Sequence, residues 1–249
     1  MSGHSHWAGI KHKKAANDAK RGKVWSKLAR AIIVAAKAGG GDVSQNLTLR
    51  YAIDKAKGTN MPKDTIEKAI KKGTGEGGSA NFEQVLYEGY CPGGIAVMVD
   101  ALTDNRNRTA PEIQKIFEKK GGSIGKSGCV SWMFSKKGFI AVKTSDVSEG
   151  DLMEIALSTG ADNMETVGDV FELTCEPTAY EGLRAALTEK NIPMDMAEIS
   201  MIPENTVPVQ DIETARKIIK LIETFEDHDD VQNVYANFDI PEDIMTNLE

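Results

Sequence analysis

Seven consecutive residues, Gly121 to Ser127, read G-G-S-I-G-K-S and carry the residue types that cradle phosphate: glycines, a lysine and hydroxyls. A nucleotide loop of that kind needs a glycine five residues before Gly125, where this chain has Lys120. It also needs a strand before it and a helix after it. Here a helical pattern precedes and a strand pattern follows, so the segment reads as a glycine helix stop and strand entry. His4, His6 and His12 suggest a metal, but no cysteine or carboxylate stands beside them to complete a ligand set. The fourth histidine lies in Glu226-Asp227-His228-Asp229-Asp230, a run that could hold Mg²⁺ or Ca²⁺. It lacks the glycine and spacing of an EF-hand loop, and a solvated turn is the simpler reading. Cys91, Cys129 and Cys175 are odd in number and have no C-x-x-C spacing, which points to reduced thiols and away from a disulfide framework or zinc. No nucleophile elbow and no zincin motif occurs. The expectation is a non-enzyme with no cofactor, no metal and no small-molecule substrate.

The remaining chemistry is cationic. Nine basic residues and one acid, Asp18, fall within residues 1–37, and Lys11, His12, Lys13, Lys14, Lys20, Arg21, Lys23, Lys27 and Arg30 are the candidate phosphate contacts there. Each phosphate neutralised by such a group releases condensed counterions. The competing reading is a basic surface that docks on the chain's own acidic part. Asp104-Asn105-Arg106-Asn107-Arg108-Thr109 places two more arginines between a strand and a helix start. Arg106 and Arg108 could hold phosphate at the helix end. Equally, the segment could build a turn and pair its arginines with acids. Trp7 could stack on a base or staple the arm to the helical region.

The balance of the whole chain hides this distribution. Its 249 residues hold 30 Lys+Arg against 37 Asp+Glu, a net −7 that on its face argues against nucleic acid. Counted by segment, the net charge is +10 over residues 1–78, +3 over 79–143 and −20 over 144–249. The chain is a basic head on an acidic body. The longest apolar run near the N-terminus, Ala31 to Ala36, is too short to span a bilayer, and the expected location is the cytoplasm.

The elements that must position these residues follow from periodicity. Gly3 to Lys14 has little apolar pattern and reads as an extended arm. Helical character begins at about Lys13 to Arg21, and a second helix is expected from Lys23 to Ala38. On a wheel Trp25, Leu28, Ile32, Ala35 and Ala36 fall together, with Lys23, Lys27, Arg30 and Lys37 opposite. Further helices are expected at Ser44 to Lys57 and from Pro62 to Gly73, followed by a glycine-rich linker to Ser79. After it the period changes to strands at Glu83 to Tyr90 and Ile95 to Leu102. A capping box, Thr109-Ala110-Pro111-Glu112, is expected to open a helix with Ile113, Ile116 and Phe117 inward. A strand is expected at Val130 to Phe134. From Phe139 the order is β-α-β-β-α-β, the ferredoxin-like unit, with a hairpin at Gly168-Asp169. A helix at Asp211 to Phe225 and a strand at Val231 to Phe238 then have no partners of their own, and fit best on the sheet of residues 83–134. The fold class is α+β and multidomain: a basic helical domain (1–78), a discontinuous α+β domain (79–132 and 206–249) and an inserted ferredoxin-like domain (133–205). The helical domain is too small to bury a large core and should lean on the rest.

These stretches together resemble the YebC family of bacterial proteins, which has a mitochondrial relative that activates translation of cytochrome oxidase. The resemblance is carried by Gly3 to Lys23, Ala35 to Asp42 (A-A-K-A-G-G-G-D), Tyr87 to Gly94 (Y-E-G-Y-C-P-G-G), Thr103 to Thr109 (T-D-N-R-N-R-T), Trp132 to Gly138 (W-M-F-S-K-K-G) and Ala197 to Pro203 (A-E-I-S-M-I-P). It departs at His6, Cys91 and Cys129, where the family usually has lysine, glycine and serine. Cys91 implies that this turn position does not need positive φ. The resemblance implies a three-domain protein that regulates gene expression, either as a DNA-binding transcriptional regulator or as a ribosome-associated translation factor on ribosomal or transfer RNA. It offers no enzymatic activity. A protein–protein adaptor using the acidic residues 144–249 is a third reading of the charge.

Overall fold

The computed structural model describes residues 18–76, 81–241 and 244, with side chains from Gly22 onward. Helix α1 (Asp18–Gly39) turns Leu28, Ile32, Ile33, Ala35 and Ala36 inward. It packs on α2 (Leu47–Gly58) and α3 (Lys63–Gly73), which contribute Leu49, Ile53, Ala56, Ile66 and Ala69 to one apolar cluster. Two helices were expected where α1 is continuous. The glycine between them, Gly22, costs a helix interior about 1 kcal/mol, too little to break a segment whose neighbours favour it. The helix stops at Gly40, whose φ of 83° is open to glycine at no steric cost. Asn46 joins the next helix to this stop: its oxygen accepts from the Leu49 N–H, and its Nδ2 donates to the Ala35 and Gly40 carbonyls at 2.8 Å each. At the crossing of α1 and α3, a Cβ on Gly73 would lie 2.5 Å from the Ile33 carbonyl oxygen, so only glycine permits the approach.

Strands β1 (Glu83–Tyr90) and β2 (Ala96–Thr103) pair antiparallel around a short 3₁₀ turn at Pro92–Gly94. Cys91 has a φ of −85°, and the positive φ values fall on Gly93 and Gly94, as the Cys91 departure implies. Helix α4 (Arg106–Lys119) follows, then the two-residue strand β3 (Ser123–Ile124). The sheet order is β3-β1-β2-β9, where β9 (Val231–Ala236) is the late strand expected to join this sheet. Helix α7 (Ile212–Glu226) leads into β9 and buries Ala215, Ile218, Leu221, Ile222 and Phe225. Phe225 meets Phe117 of α4 edge to face, 4.7 Å between ring centroids.

The strand expected at Val130 to Phe134 does not form. Ser131–Met133 is a 3₁₀ turn, and the strand β4 begins at Phe134 and runs to Lys143. The Val130 and Ser131 N–H groups, which a strand would give to a ladder, donate to the Glu88 carboxylate. From β4 the chain is the β-α-β-β-α-β unit: α5 (Glu149–Thr159), β5 (Ala161–Val167), β6 (Val170–Cys175), α6 (Tyr180–Glu189) and β7 (Met196–Pro203), in the sheet order β5-β6-β4-β7 with every pairing antiparallel. Ser148 caps α5 and Gly160, at φ 80°, ends it. β8 (Val207–Pro208) and β10 (Phe238–Asp239) form a short parallel pair.

The described residues fall into two compact units, one holding 18–131 with 213–236 and the other 132–212 with 237 onward. In the second, Glu165 and Glu172 stand directly across from one another on β5 and β6. Burial, aided by the Glu165 charge, pushes the Glu172 carboxyl up to about 7. The folded value lies above that of the unfolded chain, so the folded state binds the extra proton and loses stability as pH rises from the ordinary carboxylate range through 7. The variant Glu172→Gln should leave the melting temperature at pH 5 nearly unchanged. At pH 8 it should gain up to about 3 kcal/mol, taking about 1.4 kcal/mol per pKa unit. Melts of both proteins at the two pH values check this; an equal effect at both would contradict it.

Candidate nucleic-acid interface

The candidate cations divide sharply by what they touch. Lys11, His12, Lys13 and Lys14 lie outside the described residues, as does Trp7. Lys20 and Arg21 fall in the first turns of α1, with side chains outside the described set. Lys23, Lys27 and Arg30, at i, i+4 and i+7, all face one feature, the turn at 226–230 between α7 and β9. The Lys23 ammonium donates to the Asp227 carbonyl at 3.3 Å and lies 3.8 Å from the Asp229 carboxylate. Lys27 donates to the Glu226 carbonyl. Arg30 donates to the Asp229 carbonyl at 2.6 Å and to Asp230 Oδ1 at 2.8 Å, and its guanidinium lies 5.7 Å from the centre of the Phe82 ring. The last carbonyls of a helix lack internal partners and carry partial negative charge, so the C-terminal end of α7 attracts cations without any external ligand. Lys37, further along the same face, reaches Asn81 Oδ1 at 3.2 Å.

Asp230 is the centre of this arrangement. Its side chain is 4% exposed. Oδ1 accepts from Arg30, and Oδ2 accepts from Arg108 Nη2 at 2.8 Å and from the Thr109 hydroxyl at 2.6 Å. Burial raises its pKa, but the Thr109 hydroxyl and the Arg108 guanidinium outweigh burial and hold the carboxyl below its usual range. Its carbonyl accepts from the Leu102 N–H at 2.8 Å. The turn is therefore not merely solvated, as the acidic run suggested, because its last carboxylate is buried between arginines. His228 Nδ1 accepts from the Asp230 N–H, which leaves the proton on Nε2, 3.0 Å from Glu112.

The same contacts explain the Asp104–Thr109 segment. Helix α4 starts one turn before the expected capping box. Asn105 is the N-cap and accepts from the Arg108 N–H, so Thr109 is already inside the helix and free to bind Asp230. Thr103 and Thr109 share a 2.8 Å hydroxyl contact, and Arg108 also pairs with Asp104 at 3.0 Å. Arg108 thus serves the ion-pair reading of this segment. Arg106 is exposed and has no ion pair among the described residues.

The glycine-rich segment also closes on the protein itself. Glu88, 3% exposed, takes N–H donors from Gly128 at 2.7 Å and from Val130 and Ser131 at 2.8 Å each. Burial raises its pKa, but the backbone donors prevail and keep it below the usual carboxylate range. A chain that wraps N–H groups around an anion is present, and the anion is internal. Among the described residues no group of three or more His, Cys, Asp or Glu is arranged to hold a metal. The cysteines form no disulfide, and burial pushes the Cys91 thiol up to about 12.

Lysines that the helical pattern did not single out stand clear of acids. Lys68, Lys71 and Lys72 project from the exposed face of α3, opposite Ile66 and Ala69, with no anionic partner among the described residues. The i, i+3, i+4 repeat of lysine opposite that apolar stripe was the available signal.

A basic three-helix layer packed on an α+β unit, with a separate ferredoxin-like fold, defines a multidomain α+β protein whose cations are concentrated in its first part. Residues 5–76 match the TACO1/YebC protein N-terminal domain, and residues 82–238 match the TACO1/YebC second and third domain. The chain belongs to the TACO1/YebC family. It is 51% identical over 248 residues to a "Probable transcriptional regulatory protein" of Syntrophobacter fumaroxidans, covering 100% of both chains. It is 50% identical over 249 residues to a protein of the same name from Dictyoglomus turgidum, again covering 100% of both. The crystal structure of a conserved hypothetical protein from Aquifex aeolicus superposes with a TM-score of 0.84 at 50% identity, covering 95% of this chain and 98% of that one. The curated relatives are named as regulators, not enzymes. No described helix is long and apolar enough to cross a membrane.

Substituting Asp230→Asn removes the charge that Arg30 and Arg108 share and should destabilise the folded protein by about 2–3 kcal/mol, the scale of hydrogen bonds to a charged group. Because the folded pKa of Asp230 is depressed, its contribution is present above the unfolded carboxylate value and is lost as pH falls through the folded one. Denaturant melts from pH 7 down to pH 3 should show the variant and the parent converging at the acid end.

Proposed function

We propose that the protein is a nucleic-acid-binding regulator of gene expression, in the first instance a DNA-binding transcriptional regulator acting in the cytoplasm, with residues 1–78 as the domain that meets nucleic acid. The observation that carries this reading is charge segregation: +10 over residues 1–78 against −20 over residues 144–249. After Lys23, Lys27 and Arg30 have been assigned to the α7–β9 turn, Lys68, Lys71 and Lys72 of α3 still lack an acid among the described residues. Lys11, His12, Lys13, Lys14, Lys20 and Arg21 add charge on the same side of the sequence. The names of the relatives support a role in regulation.

A second reading, a ribosome-associated translation factor on ribosomal or transfer RNA, is favoured by one feature. The cations of α1 that could have formed a groove-reading face are engaged within the protein, and α3 is only 11 residues long. Scattered phosphate contacts of this kind suit irregular RNA as well as a duplex.

Binding to a mixed-sequence DNA duplex should weaken with salt, with a log–log slope near about −5 for six phosphate contacts. Reversing the charge at Lys13, Lys14, Lys20 and Arg21 should reduce that slope by about 3–4. An unchanged slope would remove the head from the interface. Co-sedimentation with ribosomes at physiological salt separates the two readings, since a purely transcriptional regulator stays in the ribosome-free fraction.

A further inference from the structure

We propose that the groove between α1, α4 and the α7–β9 turn is a binding site for a phosphodiester backbone, anchored by Lys115, Lys119 and Lys120 of α4 and its C-terminus. This rests on the nucleic-acid reading above and moves the contact beyond the head. The groove is open and has a volume of about 700 Å³. Its lining holds six cations and four carboxylates. Two of those carboxylates are paired with cations, Asp230 with Arg30 and Arg108 and Asp229 with Lys23; Glu112 is in hydrogen-bond contact with the His228 ring, and Asp227 is exposed. The pairing involves α1, the turn and the first half of α4, through Arg108 and Glu112. On the α4 side, the Lys115, Lys119 and Lys120 ammonium groups have no anionic partner among the described residues, and Glu118 nearby is engaged by Gln114 at 2.8 Å.

Sequence spacing makes these lysines a row. Arg108, Glu112, Lys115 and Lys119 follow one another at i, i+4, i+7 and i+11, along one face of a helix whose opposite face buries Ile113 and Phe117 against the sheet. Lys115 and Lys119 are about 6 Å apart along the axis. A row of separated cations in an open groove fits successive phosphates of a polymer better than a single small anion, which needs donors converging on one point. Asp230 builds the row: by binding Arg108 and Thr109 it fixes the start of α4 and thus where the later turns point.

The test uses the full chain and the variant Lys115→Gln/Lys119→Gln/Lys120→Gln. Lys115 and Lys119 are exposed on α4 and Lys120 is half-buried at its C-cap, so an unchanged melting temperature verifies the fold. Fluorescence anisotropy with a single-stranded RNA, an RNA duplex and a DNA duplex, each of mixed sequence and about 20 nucleotides per strand, is followed between 50 and 200 mM salt (chosen on the scale over which such contacts respond, ~50–200 mM). For the probe that the parent binds, the variant should lose about 2–3 from the magnitude of the log–log slope and about tenfold or more in affinity. The matching Lys→Arg triple variant should bind like the parent. An unchanged slope and affinity in the glutamine variant, with the parent binding normally, overturns the groove and leaves the nucleic-acid reading standing. A parent that binds none of the three probes overturns both. Whichever probe responds to the glutamine variant identifies the source of the backbone.

Discussion

A single buried carboxylate, Asp230, ties the basic head to the sheet beneath it. Placing an ionised aspartate out of water costs several kcal/mol unless charge and hydrogen bonds replace the lost hydration. Here the replacements come from two separate elements: Arg30 from the middle of α1, and Arg108 with Thr109 from the first turns of α4. Each is held because the carboxylate needs it, and none could move alone without leaving a charge or a hydroxyl unpaired. The backbone of Asp230 also enters the sheet through the Leu102 N–H. One residue therefore sets where α1 lies on its unit, where α4 begins and where β9 enters. A three-helix layer with a modest core of its own acquires a fixed seat in this way.

The seat uses up much of the charge that first suggests a ligand. Lys23, Lys27 and Arg30 have the spacing of a phosphate-binding stripe, and they also have the spacing needed to cover the C-terminal end of a helix. Both targets are arrays of negatively charged oxygens a few ångströms apart. The α7–β9 turn offers carbonyls from Glu226, Asp227 and Asp229 and carboxylates from Asp229 and Asp230, so it satisfies α1 as a stretch of nucleic acid would. Lysine and arginine counts in the sequence cannot distinguish these uses, because the deciding oxygens come from a turn some two hundred residues away.

The same boundary separates what was legible in the sequence from what was not. The ferredoxin-like unit was readable because each element carries its own period and its own stop, such as Gly160 after α5 and Gly168 in the β5–β6 hairpin. The entry of β9 into the first sheet followed from the lack of any other partner for that strand. The inward faces of α1 and α3 follow from local apolar spacing alone. The start of α4 did not follow, since Thr109 has the residues of a capping box but is drawn inside the helix by Asp230 while Asn105 takes the cap. Residues 130–134 have strand-forming composition, yet the N–H groups of Val130 and Ser131 answer to Glu88 on another strand. In each such case a distant carboxylate overrode a local preference worth about 1 kcal/mol or less.

Glu88 and Asp230 solve one problem in two ways, and together they indicate where external anions are to be sought. Glu88 is held by backbone N–H groups from a glycine-containing loop, the device that phosphate loops use. Asp230 is held by arginines and a helix-start hydroxyl, the device of many phosphate clamps. Both anion-binding devices visible in the sequence are filled from within, and their role is to hold the fold together. An external polyanion of the kind proposed would be recognised by charges that this internal pairing leaves over. Among the described residues these include Lys68, Lys71 and Lys72 of α3 and Lys115, Lys119 and Lys120 at the C-terminal part of α4, whose helices are fixed by apolar packing on their other faces. The net −20 of residues 144–249 is not all remote from these helices: Asp227, Asp229 and Asp230 line the same groove, and there Lys23, Arg30 and Arg108 pair with the last two.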